Sequence, residues 1–165
     1  MKNAILFIVM TWTVLLAVSC KSTSPVDPDS ESQQGMEINT DTRFINAYEA
    51  VLPIIYDGAQ DYTVKPGDVL TQIARNFYGR ENVFFFPLIM TASKDKQTVD
   101  IVDPDLIEPG MKLVIPKLEP NLADLEIKAR IKVLLESVSK IYYDKPDTNW
   151  SLEVSNGLAA AASKL

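Results

Sequence analysis

Few residues in this chain have the chemistry to make or break a covalent bond. It contains no histidine and one cysteine, Cys20, and no serine or threonine stands in a recognisable nucleophile motif. Carboxylates remain. A glycosidase needs two of them across a sugar bond, a role open only to a chance pair such as Glu81 with Asp103. Acidic residues ordinarily occupy solvated faces, so the expectation is a protein that is not an enzyme. Composition excludes metal sites built from Cys and His, the acidic DPDLIE stretch at 103–108 does not match a calcium-loop pattern, and no cofactor is expected.

Cys20 has no partner for an intramolecular disulfide, so its use must lie elsewhere. The opening MKNAILFIVMTWTVLLAVSC carries Lys2, an apolar run from Ala4 to Val18, then Ser19 and Cys20. That run is shorter than the ~20 residues a membrane-spanning helix needs and suits the hydrophobic region of an export signal. Leu16-Ala17-Val18-Ser19-Cys20 resembles the lipobox of bacterial lipoproteins, in which the cysteine becomes the new N-terminus and carries acyl chains. The family usually has Leu three residues before the cysteine; here Ala17 holds that place and Leu16 stands one residue early. The resemblance implies residues 1–19 as signal peptide, lipidation at Cys20, and anchoring to a membrane through two or more acyl chains. The alternative is a free or buried thiol at the end of an uncleaved apolar anchor. Lys21 directly after the cysteine points to the outer membrane of a diderm envelope, facing the periplasm.

The stretch KSTSPVDPDSESQQG follows, without apolar periodicity until Phe44, so residues 20–41 read as a flexible tether. The chain carries 16 basic and 22 acidic residues for a net charge of −6. Its Lys and Arg are scattered singly rather than lining one face, so nucleic acid is not an expected partner.

Several segments would have to position any site. Phe44, Tyr48, Val51 and Ile55 recur at helical spacing, with Pro53 interrupting, giving a flanking helix within 42–60 that bends or ends near the proline. Tyr62 to Val64 is a brief strand, and Lys65-Pro66-Gly67-Asp68 is a turn whose aspartate could cap the next helix. In that helix Leu70, Ile73, Ala74 and Phe77 form one apolar stripe, with Gly79 at the C-terminal cap. Pro87 marks the start of a second helix carrying Phe86, Ile89 and Met90. Ser93 to Met111 reads as loop, and Lys112 to Ile115 as a second strand stopped by Pro116. The sum is a β-α-α-β module whose small sheet needs helices on one face.

YTVKPGDVLTQIARNFYG, then FPLIMTAS, then DPDLIEPGMKLVIP resemble the LysM (lysin motif) domain block by block, over residues 61–117. The fold class implied is α+β: a two-stranded antiparallel sheet packed by two helices, with flanking helices at both ends. Val69, Phe86 and Ser93 stand where the family commonly has Thr or Ser, Trp, and Asn, and the loop after Ser93 is longer than usual. LysM domains bind glycans containing N-acetylglucosamine, chiefly peptidoglycan and chitin, in a shallow groove between two loops. Carried over, the groove would be formed by Gly67, Asp68, Val69 and Leu70 on one side and Pro104, Asp105, Leu106 and Ile107 on the other. Gly67, Asp68 and Pro66 also have turn and cap roles without any sugar, and Leu106 and Ile107 could equally be core residues.

Residues 118–165 read as a helical extension. Ile127, Ile131, Leu134, Val138 and Ile141 form a heptad-like seam on a helix over 121–143, expected to pack on the N-terminal helix or on the module. An alanine-rich helix follows from about Ser151 to Lys164. Phe84, Phe85 and Phe86 cannot all face one core, and the exposed member would touch either glycan or another segment of the chain, the second being expected. With one LysM copy, glycan binding should be weak unless multiplied. Two readings result: a non-catalytic peptidoglycan-binding lipoprotein of the cell envelope, or an interaction subunit whose LysM fold no longer binds glycan and whose flanking helices meet an envelope protein.

Overall fold

In the computed structural model, residues 42–48, 53–99, 103–145 and 149–165 are described. The leader, Cys20, the tether and Val51 lie outside them. Among the described residues no helix is long and apolar enough to cross a membrane.

Helical residues 42–48 (α1) bury Phe44, Ala47 and Tyr48, spaced i, i+3, i+4. From Pro53 to Ala59 the chain is not helical, so the flanking helix expected within 42–60 has ended by the proline. Proline removes an N–H and clashes with the preceding turn. The segment that follows is instead pinned by Asn121, which is fully buried: its side chain accepts from Ile55 N–H at 2.9 Å and donates to Ile55 C=O at 3.0 Å and Lys117 C=O at 2.8 Å.

Strand β1 (Gln60–Thr63) pairs antiparallel with β2 (Lys112–Ile115), with Tyr62 opposite Leu113. The sequence placed β1 two residues late, because Val64 looks like strand. It lies just past the strand and carries the ladder on through Val64 N–H to Met111 C=O and Gly110 N–H to Val64 C=O. Leu113, Val114 and Ile115 are all buried, so β2 is covered on both faces.

Helix α2 (Leu70–Tyr78) buries Leu70, Ile73 and Ala74 and ends at Gly79, whose φ of +88° and N–H bond to Arg75 C=O close it as expected. A 3-10 helix (Arg80–Phe85), not foreseen from sequence, then turns the chain into α3 (Phe86–Asp95), with Pro87 in its first turn. Every residue of α3 from Phe86 to Ser93 is buried, as befits a helix enclosed on all sides. Ser93 is therefore helix, not loop. Its Oγ donates to Ile89 C=O at 2.7 Å and accepts Val114 N–H at 2.9 Å, tying α3 to β2.

Among the described residues the extension forms three helices: α4 (Leu118–Ala123), α5 (Leu125–Asp144) and α6 (Asn149–Ser163). The expected single helix over 121–143 is broken at Asp124, whose carboxylate accepts from Glu126 and Ile127 N–H at 2.9 Å each and so caps α5; an unpaired helix start favours such a cap. All the seam residues Ile127, Ile131, Leu134, Val138 and Ile141 are buried. The seam packs most extensively against α6 and in part against α3. Ser139 and Ser155 let the two helices approach, each hydroxyl donating to the other residue's carbonyl, at 2.8 and 2.9 Å. Phe44 meets Tyr142 edge to face at 5.9 Å, and Arg43 pairs with Asp144 at 3.0 Å, so α1 closes onto the end of α5.

Candidate functional site

The first loop is built by turn chemistry. Pro66 and Gly67 occupy the centre of the turn, Gly67 at φ +86°, the positive φ that the third residue of a type II turn requires, and Asp68 N–H closes it onto Lys65 C=O at 3.1 Å. Asp68 does not cap α2. Its carboxylate faces back over the turn, accepting from Lys65 N–H at 2.8 Å and Tyr62 Oη at 2.7 Å. The Tyr62 hydroxyl, then the Lys65 N–H, hold the Asp68 carboxyl below its usual range, against a small opposing effect of burial. The cap position of α2 falls to Val69, which offers no side-chain acceptor, so the N–H groups of the first turn lack a side-chain partner there.

The second loop is bolted to the extension. Asp103 accepts Asp105 N–H at 3.0 Å and takes Lys145 Nζ on both oxygens at 2.9 Å. Asp105 takes the same ammonium at 2.9 Å and the Tyr142 hydroxyl at 2.8 Å. Lys145 Nζ also stands 4.7 Å from the centre of the Tyr142 ring and 5.3 Å from that of Phe44. Burial, reinforced by the Asp105 charge, pushes the Tyr142 hydroxyl far above its ordinary range, so it remains a proton donor to Asp105. Asp103 is thus committed to an ion pair, while Glu81 is exposed on the 3-10 helix.

A cleft has two lobes, one between the loops and one beside it. The first, of about 100 Å³, is lined from the first loop by Asp68, Val69, Leu70 and Thr71 and from the second by Pro104, Asp105 and Ile107. The remaining wall is Phe86, Tyr142, Trp150 and Val154. The second lobe, of about 220 Å³, shares Val69, Thr71, Trp150 and Val154 with the first. Six of the residues proposed from the sequence therefore meet in one cleft. Gly67 shapes the turn without lining it, and Leu106, 71% exposed, neither lines it nor joins the core. Leu70 is 3% exposed and anchors α2 more than it presents a surface.

The residues that sequence reasoning missed are Thr71, Phe86, Tyr142, Trp150 and Val154. Phe86 had carried a signal as a departure from the family pattern. Trp150, isolated in a polar stretch, had the composition of a site residue, but nothing local says that α6 returns to this cleft. Phe84, half-buried, does touch another part of the chain: Gly157 of α6 has no room for a Cβ, which would come 2.1 Å from the tip of the Phe84 ring.

Apolar side chains thus floor the cleft, and hydroxyl, carboxylate and backbone groups edge it, a lining suited to a neutral polar ligand with C–H faces. Residues 62–83, which include the first loop and α2, match the family model of the LysM domain. The chain carries a LysM domain. LysM domains are modules that bind glycans such as peptidoglycan, not catalysts. A stretch of 55 residues, 33% of this chain, is 46% identical to an uncharacterized protein of Deinococcus radiodurans and spans 19% of that protein's length. No solved structure matches the chain.

Proposed function

We propose that this protein is a non-catalytic peptidoglycan-binding lipoprotein of the bacterial envelope, holding membrane to wall or positioning a partner between them. The observation that carries the glycan half is the first lobe, in which Asp68, Val69 and Leu70 meet Pro104, Asp105 and Ile107 across a cleft of the LysM module. An acetamido sugar offers a donor, an acceptor and a methyl group. The uncapped N–H groups at the start of α2 and the Tyr142 and Thr71 hydroxyls suit the polar atoms, and Val69 and Ile107 suit the methyl. Both loop carboxylates already accept a tyrosine hydroxyl. The lipid half rests on the resemblance of residues 16–20 to a lipobox, with Cys20 as the acylated residue and the outer membrane, facing the periplasm, as its location.

Co-sedimentation of the protein beginning at Lys21 with purified peptidoglycan tests the first half. Val69 is 53% exposed and can be changed to Asp without opening the core. Retention of the parent and loss in Val69→Asp is the expected result; retention of neither would remove glycan binding. Radiolabelled palmitate incorporation in a bacterial host, abolished in Cys20→Ala, tests the second half.

The alternative, an interaction subunit, draws on Leu125 and Tyr143 of α5, which are 83% and 68% exposed. It gains if sacculi fail to bind while an envelope protein co-purifies through these residues.

A further inference from the structure

The second lobe is built away from the loop pair, where α2, the 3-10 helix and α6 meet, and its lining includes Gln72, Arg75, Phe84, Trp150 and Glu153. Trp150 is 47% exposed, unusual for a side chain that buries most of its surface on average. It stands on the boundary, lining both lobes together with Val69. A ligand that fills the first lobe and continues past Val69 therefore runs along the indole into the second.

The chemistry there is balanced in charge. One guanidinium, one carboxylate and one amide surround aliphatic and aromatic walls, which favours neither a phosphate nor an acidic or basic peptide. A pyranose fits: its hydroxyls both donate and accept, and its C–H groups, slightly positive, meet the negative face of an indole. The far wall is held firm, since the Phe84 ring occupies the space that a side chain at position 157 would need.

We propose that Trp150 and the second lobe form a further sugar subsite, so that the cleft takes a glycan of at least two pyranose units, the second of them bound through the C-terminal extension. The inference rests on the glycan-binding reading of the first lobe. It gives α6 a binding role and makes the extension part of the site.

The test uses the full-length chain in detergent with Trp12→Phe, which leaves Trp150 as the sole tryptophan. N-acetylglucosamine, its dimer and its tetramer are titrated while tryptophan emission is followed, and calorimetry measures binding independently. The dimer and tetramer should shift the emission and bind more tightly than the monomer. Trp150→Ala should weaken tetramer binding about tenfold, a larger loss than it causes for the monomer, and keep the parent's circular dichroism, with Trp150→Phe between the two. If Trp150→Ala melts early, the parent's emission and Trp150→Phe carry the decision. Tetramer binding that leaves emission unmoved, with Trp150→Phe equal to the parent, overturns the subsite and spares the first lobe. An emission change with peptide released from sacculi and none with the oligosaccharides also overturns it. No binding of oligosaccharides or sacculi overturns both readings.

Discussion

Gly157 should be a position where alanine destabilises a helix, and where one further substitution reverses the sign. It lies inside α6 (Asn149–Ser163), where replacing glycine by alanine ordinarily gains ~0.8–1.0 kcal/mol through backbone entropy. A Cβ at Gly157 would meet three atoms of the Phe84 ring at 2.1 to 2.4 Å, closer than any van der Waals contact. Overpacking of this kind costs roughly 1–3 kcal/mol. The net for Gly157→Ala is therefore a loss of about 1 kcal/mol, or about 4 °C in Tm. Phe84→Leu removes the far edge of the ring, so in that background Gly157→Ala should return to the ordinary gain. The coupling between the two substitutions is then about 2 kcal/mol. Urea unfolding of the parent, both single variants and the double variant measures it. A Gly157→Ala that stabilises equally with and without Phe84 would show that the ring is not held against α6, and would undo the account of the second lobe's far wall.

Further outcomes follow from the polar contacts. Asn121→Ala leaves Ile55 N–H and C=O without the bonds that Asn121 supplies and should cost about 2–4 kcal/mol in urea unfolding. Burial first, then the nearby Asp103 and Asp105 charges, raises the Tyr48 hydroxyl well above the ordinary tyrosine range, and Tyr142 is raised similarly. Stability is therefore fully present below the unfolded-state pKa of about 10 and falls as pH rises beyond it, by about 1.4 kcal/mol per pH unit for each tyrosine; urea midpoints between pH 9 and 11 should show this, and Tyr48→Phe should reduce the slope. The Tyr48 hydroxyl is buried without a hydrogen-bond partner among the described residues, so the same variant should be neutral or stabilising at pH 7. The lowered Asp68 carboxyl has the opposite sign: its contribution is present above the unfolded-state pKa of about 4 and disappears as pH falls below it, a decline in Tm that Asp68→Asn should lack.

Periodicity and turn residues made the module readable. The stripe Leu70, Ile73, Ala74, Phe77, the left-handed Gly79 and the position of Pro87 are local signals, and each stands where local chemistry puts it. Misreadings arose where a residue had two local options and a distant partner chose between them. Asp68 can cap a helix or close a turn, and the Tyr62 hydroxyl draws it to the turn. Ser93 looks like loop because it precedes a charged stretch, yet Val114 N–H makes it a buried helix residue. The cleft was half legible for the same reason. Its two loops belong to a sequence pattern, while Trp150 and Tyr142 reach it through helix packing that no short stretch encodes.

That packing also bears on why the extension exists. A sheet of two four-residue strands cannot stand in water without helices over it. Here α3 is enclosed on every side and β2 on both faces, more cover than α2 and α3 can supply by themselves. The second loop has no secondary structure of its own to hold its shape, and Lys145 and Tyr142 at the end of α5 hold its two aspartates instead. Asn121 of α4 fixes the segment entering β1 in the same way. The extension thus grips the module at both ends of the chain path that forms the cleft, and places Trp150 in the wall shared by its two lobes. A helical hairpin added only for solubility or as a spacer would need none of these part-buried ion pairs and side-chain clamps. Their location around the cleft ties the rigidity of the two loops that line it to the folding of α5 and α6.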